Sequence, residues 1–276
     1  IINACDMVIS IEKTLADIYG YDHEDWITTY YGLNHFGWFD SIYSIKEERD
    51  IMPDILNRAL EEGVWLNEGD ESWKETYHNI GEIIKMFPDS IPNNYLEYYL
   101  MSDDKARKSN QDYTRANYVM DNREKYTQNF YEAILSGDHV GLKEFNMENE
   151  IHGGYIIDIA RSLHNGYNNR FKLIVKNMGT IPNVRHDAVI EIATHVGKNG
   201  VNPVALRKDI PDFHRGLIEA QVASEKLLVD AFFENSYNKA LQAFTLNQTV
   251  NSMYVAKAVL DEFIEVNGDL WPELKK

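Results

Sequence analysis

Cysteine is nearly absent: the 276 residues hold one, Cys5. A single thiol excludes an internal disulfide framework. It leaves a buried small hydrophobe, a nucleophile or a metal ligand, and it points to a reducing compartment. Positive charge is also scarce, with 27 Lys and Arg against 44 Asp and Glu for a net charge of −17. That balance argues against a general basic surface for nucleic acid, although a few local cations suffice for a small anionic substrate. No apolar run approaches the ~20 residues of a membrane-spanning helix, and no signal peptide is visible. A dinucleotide-binding unit would need G-x-G-x-x-G between a strand and a helix. Gly153-Gly154 and the Gly197 to Gly200 pair lack that spacing and follow the wrong elements. No internal repeat or low-complexity tract occurs.

What is present is a globular composition, 44% hydrophobic, in a 32.0 kDa chain able to bury a substantial core in one or two domains. Apolar spacing predicts a helix over Val8–Tyr19 that ends near Gly20. Trp26–Tyr31 and Phe36–Ile45 read as neighbouring strands around an Asn34–His35 corner, followed by a charged turn at Glu47–Asp50. Helices are expected over Pro53–Leu60, His78–Phe87, Tyr95–Met101 and Ala116–Leu135, the last of them amphipathic. Lys105, Arg107, Lys108 and Arg115 form the strongest local positive cluster. Asp138–Glu150 reads as a loop, and His152, Gly153 and Gly154 open a further helix. Phe171–Val175 and Ala188–Ile192 read as strands, Leu217–Phe232 and Tyr254–Val266 as helices. The class is therefore α+β, mainly helical with a minority sheet.

Chemistry-bearing side chains concentrate in two runs, Asn3-Ala4-Cys5-Asp6 and Gly32-Leu33-Asn34-His35-Phe36-Gly37-Trp38. Cys5 and His35 are too far apart for a zinc finger, which needs more ligands at short spacings. Taken as residues alone, both can be structural. Asp6 either caps the following helix or joins Cys5 in a site if His35 folds back. The Asn and Gly around His35 suggest a fixed backbone that presents a polar group from an apolar wall.

These runs resemble those of glycoside hydrolase family 4, the NAD- and metal-dependent 6-phosphoglycosidases, and the resemblance covers essentially the whole chain. It implies the C-terminal domain of a lactate/malate dehydrogenase-like fold. It further implies a divalent metal, Mn²⁺ most often, between Cys5 and His35, chelating two sugar hydroxyls. Asp6 matches the acid of the alpha-selective members, and it would need desolvation or a nearby negative charge to stay protonated. The run Pro92-Asn93-Asn94-Tyr95-Leu96-Glu97-Tyr98-Tyr99 matches the base motif at Tyr95. A phenol of pKa about 10 is a poor base unless a neighbouring cation favours the phenolate. Arg115 resembles an active-site arginine that binds phosphate or steadies the oxidised sugar. Asn34 and His152 match positions expected to contact substrate. In the implied reaction, NAD⁺ takes hydride from C3 of the terminal sugar and Tyr95 removes the C2 proton. The aglycone then leaves C1 with help from Asp6, water adds and the hydride returns. The paired carboxylates of other glycosidases are not needed, and none stands out here.

The resemblance thus points to hydrolysis of 6-phospho-α-glucosides such as maltose 6′-phosphate to glucose 6-phosphate. The alternatives are a 6-phospho-β-glucosidase or α-galactosidase of the same family, or a non-enzymatic binding or assembly module. The chain opens Ile-Ile-Asn-Ala-Cys without a methionine. Residues 1–276 therefore read as a C-terminal catalytic, substrate- and metal-binding domain, inactive alone, whose N-terminal Rossmann NAD-binding domain lies outside this sequence. The expected setting is cytoplasmic, in a homo-oligomeric parent without nucleic-acid or membrane partners.

Overall fold

A computed structural model describes residues 1–67, 71–137 and 151–275, apart from the side chains of residues 151 and 152. Its spine is an antiparallel sheet. β1 (Asn3–Ala4), β2 (Trp26–Leu33), β3 (Phe36–Ser44), β4 (Arg49–Asp50), β6 (Asn169–Lys176) and β7 (Val189–Gly197) run in the order β1-β6-β7-β2-β3-β4. β5 (Ile91–Pro92) pairs with β3, and β8 (Gly200–Pro203) with β7. The central hairpin runs from Trp26 opposite Ser44 to Leu33 opposite Phe36, with a bulge at Thr29/Tyr30.

Because successive strand residues face opposite sides, Tyr30 and Tyr31 enter different cores. Tyr30 packs with Phe39 and Ile42 under α1 (Met7–Tyr19), α2 (Met52–Glu62) and α3 (Glu71–Met86), which contribute Ile11, Ile55 and Ile80. Tyr31 joins Trp38, Ile190 and Ile192 beneath Ile218 and Val222 of the long helix Asp212–Glu234. Burial of each such side chain contributes about 2 kcal/mol. α1 stops at Gly20, whose left-handed backbone (φ 73°) lets its amide reach the carbonyls of Ala16 and Asp17.

The remaining helices flank this sandwich. α4 (Glu97–Leu100) and α5 (Ser102–Lys108) follow β5, with a 3-10 turn at Asn94–Leu96 where a regular helix was expected. α6 (Arg115–Ser136) buries none of its side chains. Of its predicted apolar stripe, Tyr126, Tyr131 and Ile134 are exposed and Val119 and Phe130 are half-buried, and its start is set locally by a Thr114–Asn117 capping box. The expected positive cluster is largely neutralised. Arg107 pairs with Asp103 at 2.9 Å, Lys108 with Asp104 at 2.7 Å and Lys105 with buried Glu97 at 3.3 Å. α7 (Ile151–Asn165) lies on β6 and β7 through Ile159, Phe171 and Leu173. Asp212–Glu234 is α8; with α9 (Tyr237–Leu246) and α10 (Met253–Asn267) it encloses a satellite core of Ala231, Tyr237, Ala240 and Leu260. β4 occupies the end of the expected charged turn, and β8 and α9 add to the expected elements. Asp138–Glu150 lies outside the described residues. Among the described residues no helix is long and apolar enough to cross a membrane.

Candidate active site

Only Asn34 and His35 connect β2 to β3. His35 adopts φ 61°, a left-handed conformation that histidine tolerates better than most side chains. Beneath this corner Gly32 and Gly37 face each other across the hairpin. A Cβ on Gly32 would lie 2.3 Å from both Gly37 Cα and the Phe36 carbonyl oxygen, so no larger residue lets the strands close. β1, held against β6, delivers Cys5 to the same point. Cys5 Sγ stands 3.1 Å from His35 Nε2.

The His35 ring stacks on Tyr95, with centroids 4.5 Å apart. Buried Asn93 sets Tyr95 in place. Its backbone amide donates to the Gly37 carbonyl at 2.8 Å. Its side-chain oxygen accepts from the Tyr95 amide at 3.0 Å, and its Nδ2 donates to Tyr30 Oη at 3.2 Å. Tyr95, Trp73, Tyr98, Lys105 and Arg115 line a cavity of about 470 Å³. A cavity of about 540 Å³ over the Glu12–Lys172 pair is lined by none of Cys5, Asp6, Asn34, His35, Tyr95 or Arg115. Asp6 is buried at the N-cap position of α1, yet its side chain makes no capping hydrogen bond. Arg115 opens α6, its guanidinium 5.1 Å above the Tyr118 ring. Asn34 is exposed at the corner. His152 lies in the first turn of α7, and its side chain is outside the described residues.

Burial sets the electrostatics. It raises the Tyr95 phenol above its ordinary value, helped by Tyr98 and Cys5 and opposed by the Arg115 guanidinium. It lowers His35, while Glu191 and Asp6 pull the other way, so the ring favours the neutral form a metal ligand needs. Glu191, fully buried on β7, was not singled out by sequence reasoning. Burial pushes its carboxyl up to about 8, and the neighbouring Cys5 adds to the rise. The Asn34 side chain and the His35 amide favour its ionised form, but neither carboxylate oxygen completes a hydrogen bond. The available signal was an acid inside the otherwise apolar run Val189-Ile190-Glu191-Ile192-Ala193.

Chemically the cluster offers a sulfur and a ring nitrogen side by side, a phenol stacked on the imidazole, and buried acids around them. Bonds of about 2.3 Å to sulfur and about 2.1 Å to nitrogen, set at a right angle, place the two donors about 3.1 Å apart. The Cys5–His35 separation therefore suits one shared divalent cation. Among the described residues no three His, Cys, Asp or Glu side chains form a complete ligand set, so water or substrate oxygens would have to complete the shell.

The Family 4 glycosyl hydrolase C-terminal domain matches residues 30–250. The chain is 42% identical to the maltose-6'-phosphate glucosidase of Clostridium acetobutylicum, over 99% of this chain and 63% of that protein. A solved 6-phospho-alpha-glucosidase from gut microorganisms, in complex with NAD and Mn²⁺, superimposes with a TM-score of 0.92 at 40% identity, over 99% of this chain and 62% of that one. A 6-phospho-beta glucosidase from Thermotoga maritima shares the fold with a TM-score of 0.76 at 22% identity. The chain thus spans 62% to 63% of the length of the first two relatives.

Proposed function

Because the chain belongs to family 4 of the glycosyl hydrolases, we propose that it is the C-terminal catalytic domain of a 6-phospho-α-glucosidase that depends on NAD and a divalent metal. Its substrates are 6-phospho-α-glucosides such as maltose 6′-phosphate, and its product is glucose 6-phosphate. The observation that carries this reading is the 3.1 Å approach of Cys5 to His35 with Tyr95 stacked on the imidazole. The alpha assignment is supported by 42% identity to a maltose-6'-phosphate glucosidase, against 22% to a 6-phospho-beta glucosidase, and by Asp6 next to Cys5.

Cys5 and His35 would hold the metal, Mn²⁺ by analogy with the solved relative. When bound, such an ion supplies Lewis-acid polarisation of the sugar hydroxyls. The described residues present no cradle for NAD. The dinucleotide would be held by a separate Rossmann domain of the parent protein. Tyr95 Oη takes the proton from C2 of the phosphorylated sugar. Arg115, which lowers the cost of the phenolate, also steadies the anionic substrate. Asp6 gives a proton to the departing glycosidic oxygen. Asn34 and His152 contact the sugar.

The reading places the enzyme in the cytoplasm, as a homo-oligomer. The lone cysteine supports the first statement. Exposed apolar side chains along α6, such as Tyr118, Met120, Tyr131 and Leu135, support the second. The deciding experiment measures glucose 6-phosphate release from maltose 6′-phosphate by the intact parent protein. Release is expected only with both NAD⁺ and Mn²⁺ present. Full activity after exhaustive removal of NAD overturns the reading.

A further inference from the structure

Glu191 has none of its surface exposed, and neither carboxylate oxygen has a hydrogen-bond partner among the described residues. Buried carboxylates are almost always paired, because a charge stripped of water and left alone costs several kcal/mol. An orphan of this kind in a well-formed sheet needs a reason.

The register supplies one. Asn3 aligns with Ile174, Ile174 with Glu191, and Glu191 with Gly32. One row across four strands therefore runs beneath the site. β1 leaves that row into Cys5, and β2 leaves it through Leu33 into the Asn34–His35 corner. Gly32 contributes no side chain, so Glu191 is the row's one charged group. Its electrostatic neighbours include Cys5, His35 and Asn34, with Tyr30 and Tyr155 also within its field. No Lys or Arg bridges to it among the described residues. Glu191 thus shares the surroundings of the Cys5–His35 pair as a buried acid with no cation bonded to it among the described residues.

We infer that Glu191 is a positioning residue for the cation. Its carboxylate stands behind the Cys5–His35 pair as the counter-charge of a divalent ion, close enough to the Asn34 side chain and the His35 amide to feel both. The inference rests on the reading that Cys5 and His35 hold that ion. Glu191 is not itself a ligand, since no third donor of its type completes a set with them. It acts through its charge on the neighbouring Cys5–His35 pair, from outside the ligand shell. An isolated buried carboxylate that destabilises the metal-free protein and strengthens the loaded one is then no anomaly.

The test uses the intact protein, with Mn²⁺ binding followed by the electron paramagnetic resonance of the free ion and unfolding followed without metal. Glu191→Gln is expected to weaken Mn²⁺ binding by about 10- to 100-fold. The metal-free unfolding midpoint should stay where it is or rise, because the cost of burying an acid without a hydrogen-bond partner is gone. Glu191→Asp, which keeps the charge, should fall between the two in affinity. Equal affinity in Glu191→Gln and the unsubstituted protein overturns the inference alone. So does a Glu191→Gln protein that fails to fold without metal, because the carboxylate is then a structural member. If the unsubstituted protein binds no Mn²⁺, or binds it as tightly after Cys5→Ala, the underlying reading falls and the inference falls with it.

Discussion

The rings of His35 and Tyr95 are stacked, centroids 4.5 Å apart and planes 27° from parallel. The proposed metal ligand and the proposed base therefore pack as one unit, and a substitution can separate their roles. Tyr95→Phe keeps the ring and the stack and removes only the hydroxyl. Turnover by the intact enzyme should fall by about 10²- to 10⁴-fold, the usual contribution of a positioned base, while Mn²⁺ affinity stays unchanged. Steady-state kinetics beside a Mn²⁺ titration check both halves. A variant with near-normal kcat would remove Tyr95 from the base role.

Cys5→Ala and His35→Ala act on the other half of the unit. Each removes one of the two protein donors that stand 3.1 Å apart, and substrate oxygens alone hold a divalent ion poorly. Both variants should lose Mn²⁺-dependent turnover and measurable Mn²⁺ binding. Cys5 is only partly buried, so Cys5→Ala should retain its circular dichroism spectrum. Normal turnover in either variant ends the proposal that these two residues share the ion.

The hairpin that carries His35 was legible because its signals are local. Alternating apolar residues, a two-residue Asn34–His35 corner and the facing glycines at 32 and 37 all lie within one short run. The same holds for α1, which stops at Gly20. β8 escaped because Gly200–Pro203 is short, mostly exposed and ends in a residue that strands avoid. α9 escaped because its buried positions are Tyr237, Ala240 and Ala243, and two alanines make a faint stripe. α6 shows the opposite failure. It was read as an amphipathic helix, yet none of its residues is buried among the described residues. Glu191 could not be read for its role because its meaning comes from alignment with Gly32 and Ile174, partners that are distant in sequence. Recognition of Cys5, Asp6, His35, Tyr95 and Arg115 came from resemblance. The proximity of Cys5 to His35 comes from the sheet.

A buried ion pair makes a stability prediction independent of catalysis. Lys172 Nζ lies 2.9 Å from Glu12 Oε1 and donates to Thr28 Oγ1 at 2.6 Å. Both charged residues are less than a tenth exposed. Lys172→Met strands the Glu12 carboxylate and should cost about 3 to 5 kcal/mol. The double variant Lys172→Met with Glu12→Gln removes both charges and should recover most of that loss. Urea unfolding of the three proteins measures the difference. A double variant no more stable than the single one would show that packing, not the stranded charge, carries the cost.

His214 gives the pH dependence. Its ring stacks flat on Trp38 at 4.0 Å, its Nδ1 lies 2.8 Å from Tyr31 Oη, and Ser90 Oγ lies 3.4 Å from Nε2. A neutral imidazole, with one donor and one acceptor, suits those two hydroxyl partners. Burial pushes its pKa down to about 4, against the pull of Asp40 and Asp89. In the unfolded chain a histidine titrates at about 6.5. Between those values the unfolded state binds a proton that the folded state refuses, so folding stability rises with pH. The contribution is complete above about pH 6.5, is lost as the pH falls towards about 4, and changes no further below that. At about 1.4 kcal/mol per pH unit the full loss is ~3 kcal/mol. His214→Phe keeps a ring over Trp38 and cannot titrate. It should be less stable at neutral pH, where Tyr31 loses its partner, and its stability should fall less steeply on acidification. Glu191, raised to about 8, contributes with the opposite sign: its protonation favours the fold at low pH, and that stabilisation is lost as pH rises from its unfolded value. Both proteins carry Glu191, so the difference between their pH profiles isolates His214. Urea unfolding free energies at a series of pH values from 4 to 7 make the comparison. Parallel profiles would show that His214 takes up its proton as readily in the fold as out of it.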